Sequence, residues 1–179
     1  MNFPTTRRAI DREGPVVYHL RFASADEIRR AEAVLDEIDF QPLHHGGDIS
    51  RYQQSIDNDA CDLVQRIREV LDTVRAAIEP SGRLSVETYA FQYLPDQGVP
   101  EHRDKRRHVA SLMVYIGDYK GGGFTYYKDD EEVKLELNSG DALLLLNETS
   151  SGKWRNPLHR VEEVQSGRRS VIVGSLVRE

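Results

Sequence analysis

The sequence predicts a mainly β, α+β fold: a sandwich or jelly roll buttressed by two N-terminal helices. Three observations carry this prediction. Apolar residues before position 80 recur at helical spacing, the chain from Leu84 onward breaks into eight short strand-like runs, and glycine-, asparagine- and proline-containing clusters stand between those runs. A chain of 179 residues is expected to form one domain, with residues 1–80 as a helical support layer and 81–179 as the jelly-roll core. Its 39% hydrophobic and 8% aromatic residues suffice for a single core and exclude a disordered chain.

Taken in order, Val16 to Phe22 reads as a strand. Ser24-Ala25-Asp26-Glu27 then matches a capping box that opens a helix carrying Ile28, Ala31, Leu35 and Ile38 on one face and ending near Phe40. Residues 41–57, with His44-His45-Gly46-Gly47-Asp48 and Arg51, show no sustained period and read as a mobile loop. A second helix is expected after Asp57 or Asn58. It carries Leu63, Val64, Ile67, Val70, Leu71, Val74 and Ile78 until Pro80-Ser81-Gly82 stops it. Both helices are amphipathic, and the later strands can cover their apolar stripes.

The strand-like runs lie at 84–94, 99–104, 109–116, 123–128, 132–137, 142–147, 158–164 and 169–177. Pro95-Asp96-Gln97-Gly98, Gly121-Gly122-Gly123, Asn138-Ser139-Gly140 and Gln165-Ser166-Gly167 separate them as turns. Asp129-Asp130-Glu131-Glu132 reads as a solvated hairpin turn without a function.

Charge and composition exclude several classes. A net charge of −6 offers no general attraction for phosphate backbones, so nucleic-acid binding is disfavoured. No apolar run approaches the roughly 18 residues of a membrane helix, and Met1 to Arg8 lack a secretory apolar stretch, so a cytoplasmic location is expected. One cysteine, Cys61, makes neither an internal disulfide nor a cysteine-rich zinc site and is expected to pack beside the second helix's apolar stripe. Any metal must therefore be held by histidine and carboxylate.

His102-Arg103-Asp104 supplies such a pair, because side chains at i and i+2 of an extended segment point the same way. His159, 55 residues after Asp104, can join them if distant strands lie side by side. Two histidines and one carboxylate leave coordination positions open, the arrangement of non-haem Fe(II) oxygenases. His19, His108 and the pair His44-His45 have no comparable partner and read as solvated or packed.

The surrounding sequence adds an ordered set of motifs over about residues 85–177. Tyr93-Leu94-Pro95-Asp96-Gln97-Gly98 precedes His102-Arg103-Asp104. Then come Ser111 to Gly117 with Tyr115-Ile116-Gly117, Gly121-Gly122-Gly123-Phe124, Gly140-Asp141-Ala142-Leu143-Leu144-Leu145, and finally His159-Arg160-Val161, Val164 and Gly167-Arg168-Arg169. This set resembles the Fe(II)/2-oxoglutarate-dependent oxygenases of the prolyl 4-hydroxylase-like type. The resemblance implies a double-stranded β-helix (jelly roll) in which His102, Asp104 and His159 hold Fe(II) and form the catalytic centre. It also implies that Arg169, ten residues after His159, binds the distal carboxylate of 2-oxoglutarate. Arg168 is the alternative, and neighbouring strand residues face opposite sides, so only one of the two can point inward. Tyr115 matches the family's tyrosine that hydrogen-bonds the same carboxylate, and Tyr93 matches one lining the pocket.

The implied reaction is hydroxylation of an unactivated C–H bond in a small molecule, amino acid or peptide side chain, consuming O2 and 2-oxoglutarate and releasing succinate and CO2. Ascorbate is an optional reductant. Two departures stand out: Gly174-Ser175 replaces an aromatic near the end of the last strand, and Gly117 replaces an asparagine. Asp104 argues against halogenation, which needs a small residue there. The rival readings are a nucleobase dealkylase of the same superfamily, for which Lys105-Arg106-Arg107 beside the metal pair speaks, and a non-catalytic cupin-like jelly roll that binds a metal or ligand. His44, Asp48 and Arg51 can form a substrate-covering loop. Tyr89 and Phe91 share a strand face with Tyr93 and read as core. Trp154-Arg155-Asn156 reads either as a border of the substrate entrance or as a surface loop.

Overall fold

The computed structural model describes residues 3, 14–45, 47–79 and 83–178, and it is an antiparallel jelly roll with two helices laid on its larger sheet. The elements run β1 (Val16–His19), α1 (Ala25–Asp36), β2 (Gln41–His45), β3 (Asp48–Ser55), α2 (Asp62–Ile78), β4 (Leu84–Tyr93), β5 (Val99–His102), β6 (His108–Ile116), β7 (Tyr119–Gly121), β8 (Phe124–Lys128), β9 (Glu131–Leu135), β10 (Ala142–Leu146), β11 (His159–Val161), β12 (Val164–Gly167) and β13 (Arg169–Arg178). A seven-stranded sheet has the order β1-β10-β6-β13-β4-β3-β2, a four-stranded sheet the order β5-β11-β8-β9, and β12 pairs with β7.

The predicted capping box opens α1: the Glu27 N–H donates to Ser24 Oγ at 3.3 Å, and the Ser24 N–H donates to the Glu27 carboxylate at 2.8 Å. α1 ends at Asp36, four residues before Phe40. α2 begins at Asp62, later than Asp57 or Asn58, because residues 57–60 close a turn in which the Ala60 N–H donates to the Asp57 carbonyl at 3.1 Å. The expected stop signal Pro80-Ser81-Gly82 lies outside the described residues. Among the described residues, no helix is long and apolar enough to cross a membrane.

Strand β13 is the spine of the larger sheet, pairing with β4 from Arg169↔Tyr93 to Arg178↔Leu84 and with β6 on its other side. Its alternation divides two cores. Ile172 and Leu176 join Leu63, Val64, Ile67, Leu71 and Val74 of α2 in one apolar cluster, while Val171 and Val173 join Tyr93, Tyr115, Phe124 and Leu145 between the sheets. Burial of each large aliphatic side chain of α2 contributes about 1.5–3 kcal/mol, so the helix layer clamps one face of the spine and leaves the other free to line a site.

Three readings change. Residues 41–57 contain the β2–β3 hairpin, which extends the larger sheet from β4. An edge hairpin with polar side chains shows little apolar alternation, so its backbone pairing is invisible to a periodicity test. The run 158–164 divides into β11 and β12, and Gln165-Ser166-Gly167 belongs to β12, which pairs with the unexpected β7.

Gly174 faces the helix layer: a Cβ there would lie 2.6 Å from Ile67 Cγ2 and from Leu71 Cδ1, so this glycine lets α2 approach the sheet. Overpacking at this crossing costs about 1–3 kcal/mol. Gly174→Val is therefore expected to lower stability by that amount in urea unfolding, with an unchanged denaturant slope.

Candidate active site

The smaller sheet brings the two histidines together. β5 and β11 are neighbours whose register sets His102 opposite His159, with ring centroids 4.3 Å apart. Asp104 is not on the strand. It lies in the connection between β5 and β6, so strand alternation does not place it. Two asparagines do. The Asp104 N–H donates to Asn156 Oδ1 at 3.0 Å, and Asn156 Nδ2 donates to the Asp104 carbonyl at 2.8 Å. Asn147 Nδ2 donates to Asp104 Oδ2 and to the His108 carbonyl, each at 3.0 Å. Oδ1 then faces His102 Nε2 at 4.0 Å and His159 Nε2 at 3.8 Å, and one ligand atom from each of the three residues lies within 4.8 Å of the others.

Both imidazoles are set for ligation through Nε2. His102 Nδ1 lies 2.8 Å from the Pro100 carbonyl and His159 Nδ1 lies 2.9 Å from the Pro157 carbonyl. Each Nδ1–H donates to its carbonyl, which leaves the Nε2 lone pair pointing at the cluster. Burial pushes the His159 imidazole below its ordinary value, the effect of Asp104 being smaller and opposite, so the neutral ligating form is favoured.

The same cavity, of about 480 Å³, holds Arg169, Tyr93 and Tyr115. Arg169 is fully buried, one Nη donates to the Gly122 carbonyl, and its guanidinium lies 4.1 Å from the Tyr93 ring centre and 5.8 Å from that of Tyr115. Among the described residues, its Nε and second Nη have no hydrogen-bond partner. A sealed cation with two free donors is costly alone and fits a planar carboxylate that accepts both. Gly122 makes room for it: its φ is +67°, and a Cβ there would lie 2.6 Å from the arginine Nη1. Burial raises the Tyr115 phenol, which therefore stays a protonated donor. Arg168 points away and pairs with Asp36 of α1 at 2.6 Å.

The donor set, two imidazoles and one carboxylate with an orphaned guanidinium in the same cavity, fits a ferrous ion together with a chelating keto dicarboxylate. Other sequence candidates separate. Arg51 lines the cavity, and so do Tyr89 and Phe91, which the sequence read as core, whereas His44, Asp48 and Trp154 do not. Asn156 is buried and serves Asp104, not a substrate entrance. Asn147 and Asn156 are the positioning residues that a search for ligands passed over; only their places, after β10 and just before His159, hinted at them. A wider cleft of about 1000 Å³, lined in part by Lys120, Lys134 and Arg160, contains none of the three clustered residues.

Burial lowers His108 as well as His159. For both, the unfolded chain takes up a proton first as pH falls through the ordinary value of 6.5, so the stability due to their neutral forms is complete above that pH and declines below it. Urea unfolding of the metal-free protein between pH 8 and 5 should show this decline, and His159→Gln combined with His108→Gln should flatten it.

No protein-family model and no curated protein sequence matches the chain. Solved structures do. A prolyl-4-hydroxylase from Pseudomonas putida superposes with a TM-score of 0.77 at 18% identity, covering 97% of each chain. The viral collagen prolyl hydroxylase of Paramecium Bursaria Chlorella virus-1, in its 2OG complex, gives 0.70 at 17% identity over 95% of this chain and 98% of its own. A Trichoplax adhaerens prolyl hydroxylase, in complex with a hypoxia inducible factor oxygen degradation domain peptide fragment, gives 0.71 at 14% identity over 97% and 88%. With its two larger sheets, its helix layer and the strand order that sets His102 against His159, the chain has the fold of the prolyl hydroxylase-like 2-oxoglutarate/Fe(II) oxygenases.

Proposed function

We propose that the protein is an Fe(II)- and 2-oxoglutarate-dependent dioxygenase that hydroxylates an unactivated C–H bond of a small molecule, amino acid or peptide side chain. The observation that carries the reading is the pairing, in one cavity, of the His102–Asp104–His159 cluster with the orphaned, fully buried Arg169. Each feature alone has other uses, but together they match one metal and one dicarboxylate.

When bound, iron and 2-oxoglutarate supply the oxidising power, O2 being consumed as the keto acid becomes succinate and CO2. The chain's own residues bind and orient. His102 and His159 would ligate through Nε2, their Nδ1–H groups locked on the carbonyls of Pro100 and Pro157. Asp104 would ligate through Oδ1 while Asn147 holds Oδ2. Arg169 would take the distal carboxylate of the keto acid on its free Nε and Nη, and Tyr115 would donate its phenol proton to the same group. Phe124, Leu145, Val171 and Val173 line the cavity with apolar surface that excludes water. The substrate enters beside Arg51, Tyr89 and Phe91. Peptide substrates have a precedent in the peptide-bound Trichoplax relative.

Succinate formation in the presence of Fe(II), 2-oxoglutarate, O2 and ascorbate tests the reading. His102→Ala and Asp104→Ala should each abolish it and leave the thermal unfolding of the metal-free protein cooperative. Metal and 2-oxoglutarate binding with no succinate under any condition would leave a binding jelly roll and refute the enzyme. Asn147→Ala should weaken Mn(II) affinity about 10- to 100-fold by calorimetry, because the carboxylate loses its orienting donor. Arg169→Lys should raise the KM for 2-oxoglutarate by roughly tenfold or more, since an ammonium cannot supply the parallel donors.

A further inference from the structure

We propose that the substrate of this site is a small molecule carrying an oxyanion, a carboxylate or phosphate, and that Arg51 is the residue that grips it. The inference rests on the proposed function and deepens it.

The β2–β3 hairpin carries Arg51 to the mouth of the cavity, where its guanidinium lies 4.7 Å from the centre of the Phe91 ring. Its Nε is buried and, among the described residues, has no hydrogen-bond partner. A donor withdrawn from water without an acceptor is expensive to maintain and marks a place that a ligand completes. This guanidinium is distinct from Arg169, which lies on β13 against Gly122 and Tyr93 and serves the cosubstrate in the reading above.

The charges around the cavity point the same way. Its charged lining residues are Arg51, Arg103, Lys105, Arg107 and Arg169, against Asp104 as the carboxylate of the metal cluster. Arg107 is spoken for by Glu87, but among the described residues no ion pair neutralises Arg51, Arg103 or Lys105. A chain with a net charge of −6 thus surrounds its cavity with surplus positive charge, which selects and steers anions.

Size favours a small molecule. The cavity of about 480 Å³ lies within the range of roughly 300–1,000 Å³ usual for small-ligand sites, and a cosubstrate held by Arg169 would take up part of it. Lys105-Arg106-Arg107 is a short exposed basic run beside the cavity, but a nucleic-acid backbone meets a chain whose net charge is −6. A neutral peptide segment leaves the Arg51 charge unanswered.

The test uses the full chain loaded with Zn(II) and 2-oxoglutarate, a diamagnetic form that does not turn over. The Arg51 Nε–Hε resonance, assigned by its loss in Arg51→Lys, is followed while hexanoate, N-acetyl-L-leucine or hexyl phosphate is added. Hexanamide and N-acetyl-L-leucinamide serve as neutral counterparts, and an end-capped peptide and a short oligothymidylate as polymers. The free acids or the phosphate should move the resonance, the arm that does so identifying the oxyanion, and the amides should not. Arg51→Ala should weaken binding of the responding anion about 10- to 100-fold, the span expected for one charge-assisted hydrogen bond. Equal binding of acids and amides, unchanged anion affinity in Arg51→Ala, or a response only to the peptide or the oligonucleotide would overturn the inference. Failure of the wild-type chain to load Zn(II) and 2-oxoglutarate, read by calorimetry beforehand, would instead strike the proposed function itself and the inference with it.

Discussion

A guanidinium sealed away from water with two donors unanswered constrains the interior of this jelly roll. Arg169 is fully buried, and its Nε and one Nη have no partner among the described residues. Keeping an unpaired cation inside a protein costs several kcal/mol, so the surroundings must hold it firmly. They do so with two aromatic faces, Tyr93 and Tyr115, one carbonyl, and a left-handed glycine at 122 that leaves space for the side chain. The scaffold behind it is braced on three sides: β13 has a strand on either side, and α2 is packed on its outer face.

That arrangement divides the work of the larger sheet between its faces. The outer face, with Ile172, Gly174 and Leu176, is given to helix packing and stability. The inner face, with Arg169, Val171, Val173 and Ser175, is given to the cavity. The smaller sheet contributes the histidine pair from adjacent strands. Asp104, which lies outside any strand, is held by amides from the two ends of the β10–β11 connection. Rigid strands set the imidazoles, while hydrogen bonds set the carboxylate, so each part of the cluster has its own structural support.

Charge is distributed against the grain of the composition. Acidic side chains outnumber basic ones over the chain, yet the cavity wall is predominantly cationic. One of these cations is neutralised: Arg107 pairs with Glu87. The outer surface and the cavity therefore present opposite signs to an approaching anion, which biases what can enter.

Much of this was legible in the residue order. The amphipathic stripes of both helices, the capping box at Ser24 and the β-rich second half follow from local spacing, because periodicity and turn chemistry are short-range properties, whereas the grouping of His159 with His102 and Asp104 came from the order of motifs in the family resemblance. Between Arg168 and Arg169 the family resemblance favoured 169 and kept 168 as the alternative, because both are arginines on one short stretch; the structure places 169 buried in the cavity and 168 against Asp36. The β2–β3 hairpin was hidden because an edge strand made of polar residues carries no apolar signature, and with it went the position of Arg51. Asn147 and Asn156 were hidden because an amide that orients a carboxylate about 50 or 40 positions away leaves no mark on its sequence neighbours. The sequence by itself determined the fold class and the chemistry of the ligand set, since both depend on residue type and order. The tertiary structure alone decided which arginine is sealed in, what steadies Asp104 and that Arg51 stands against Phe91 in the cavity wall, since each depends on contacts between residues far apart along the chain.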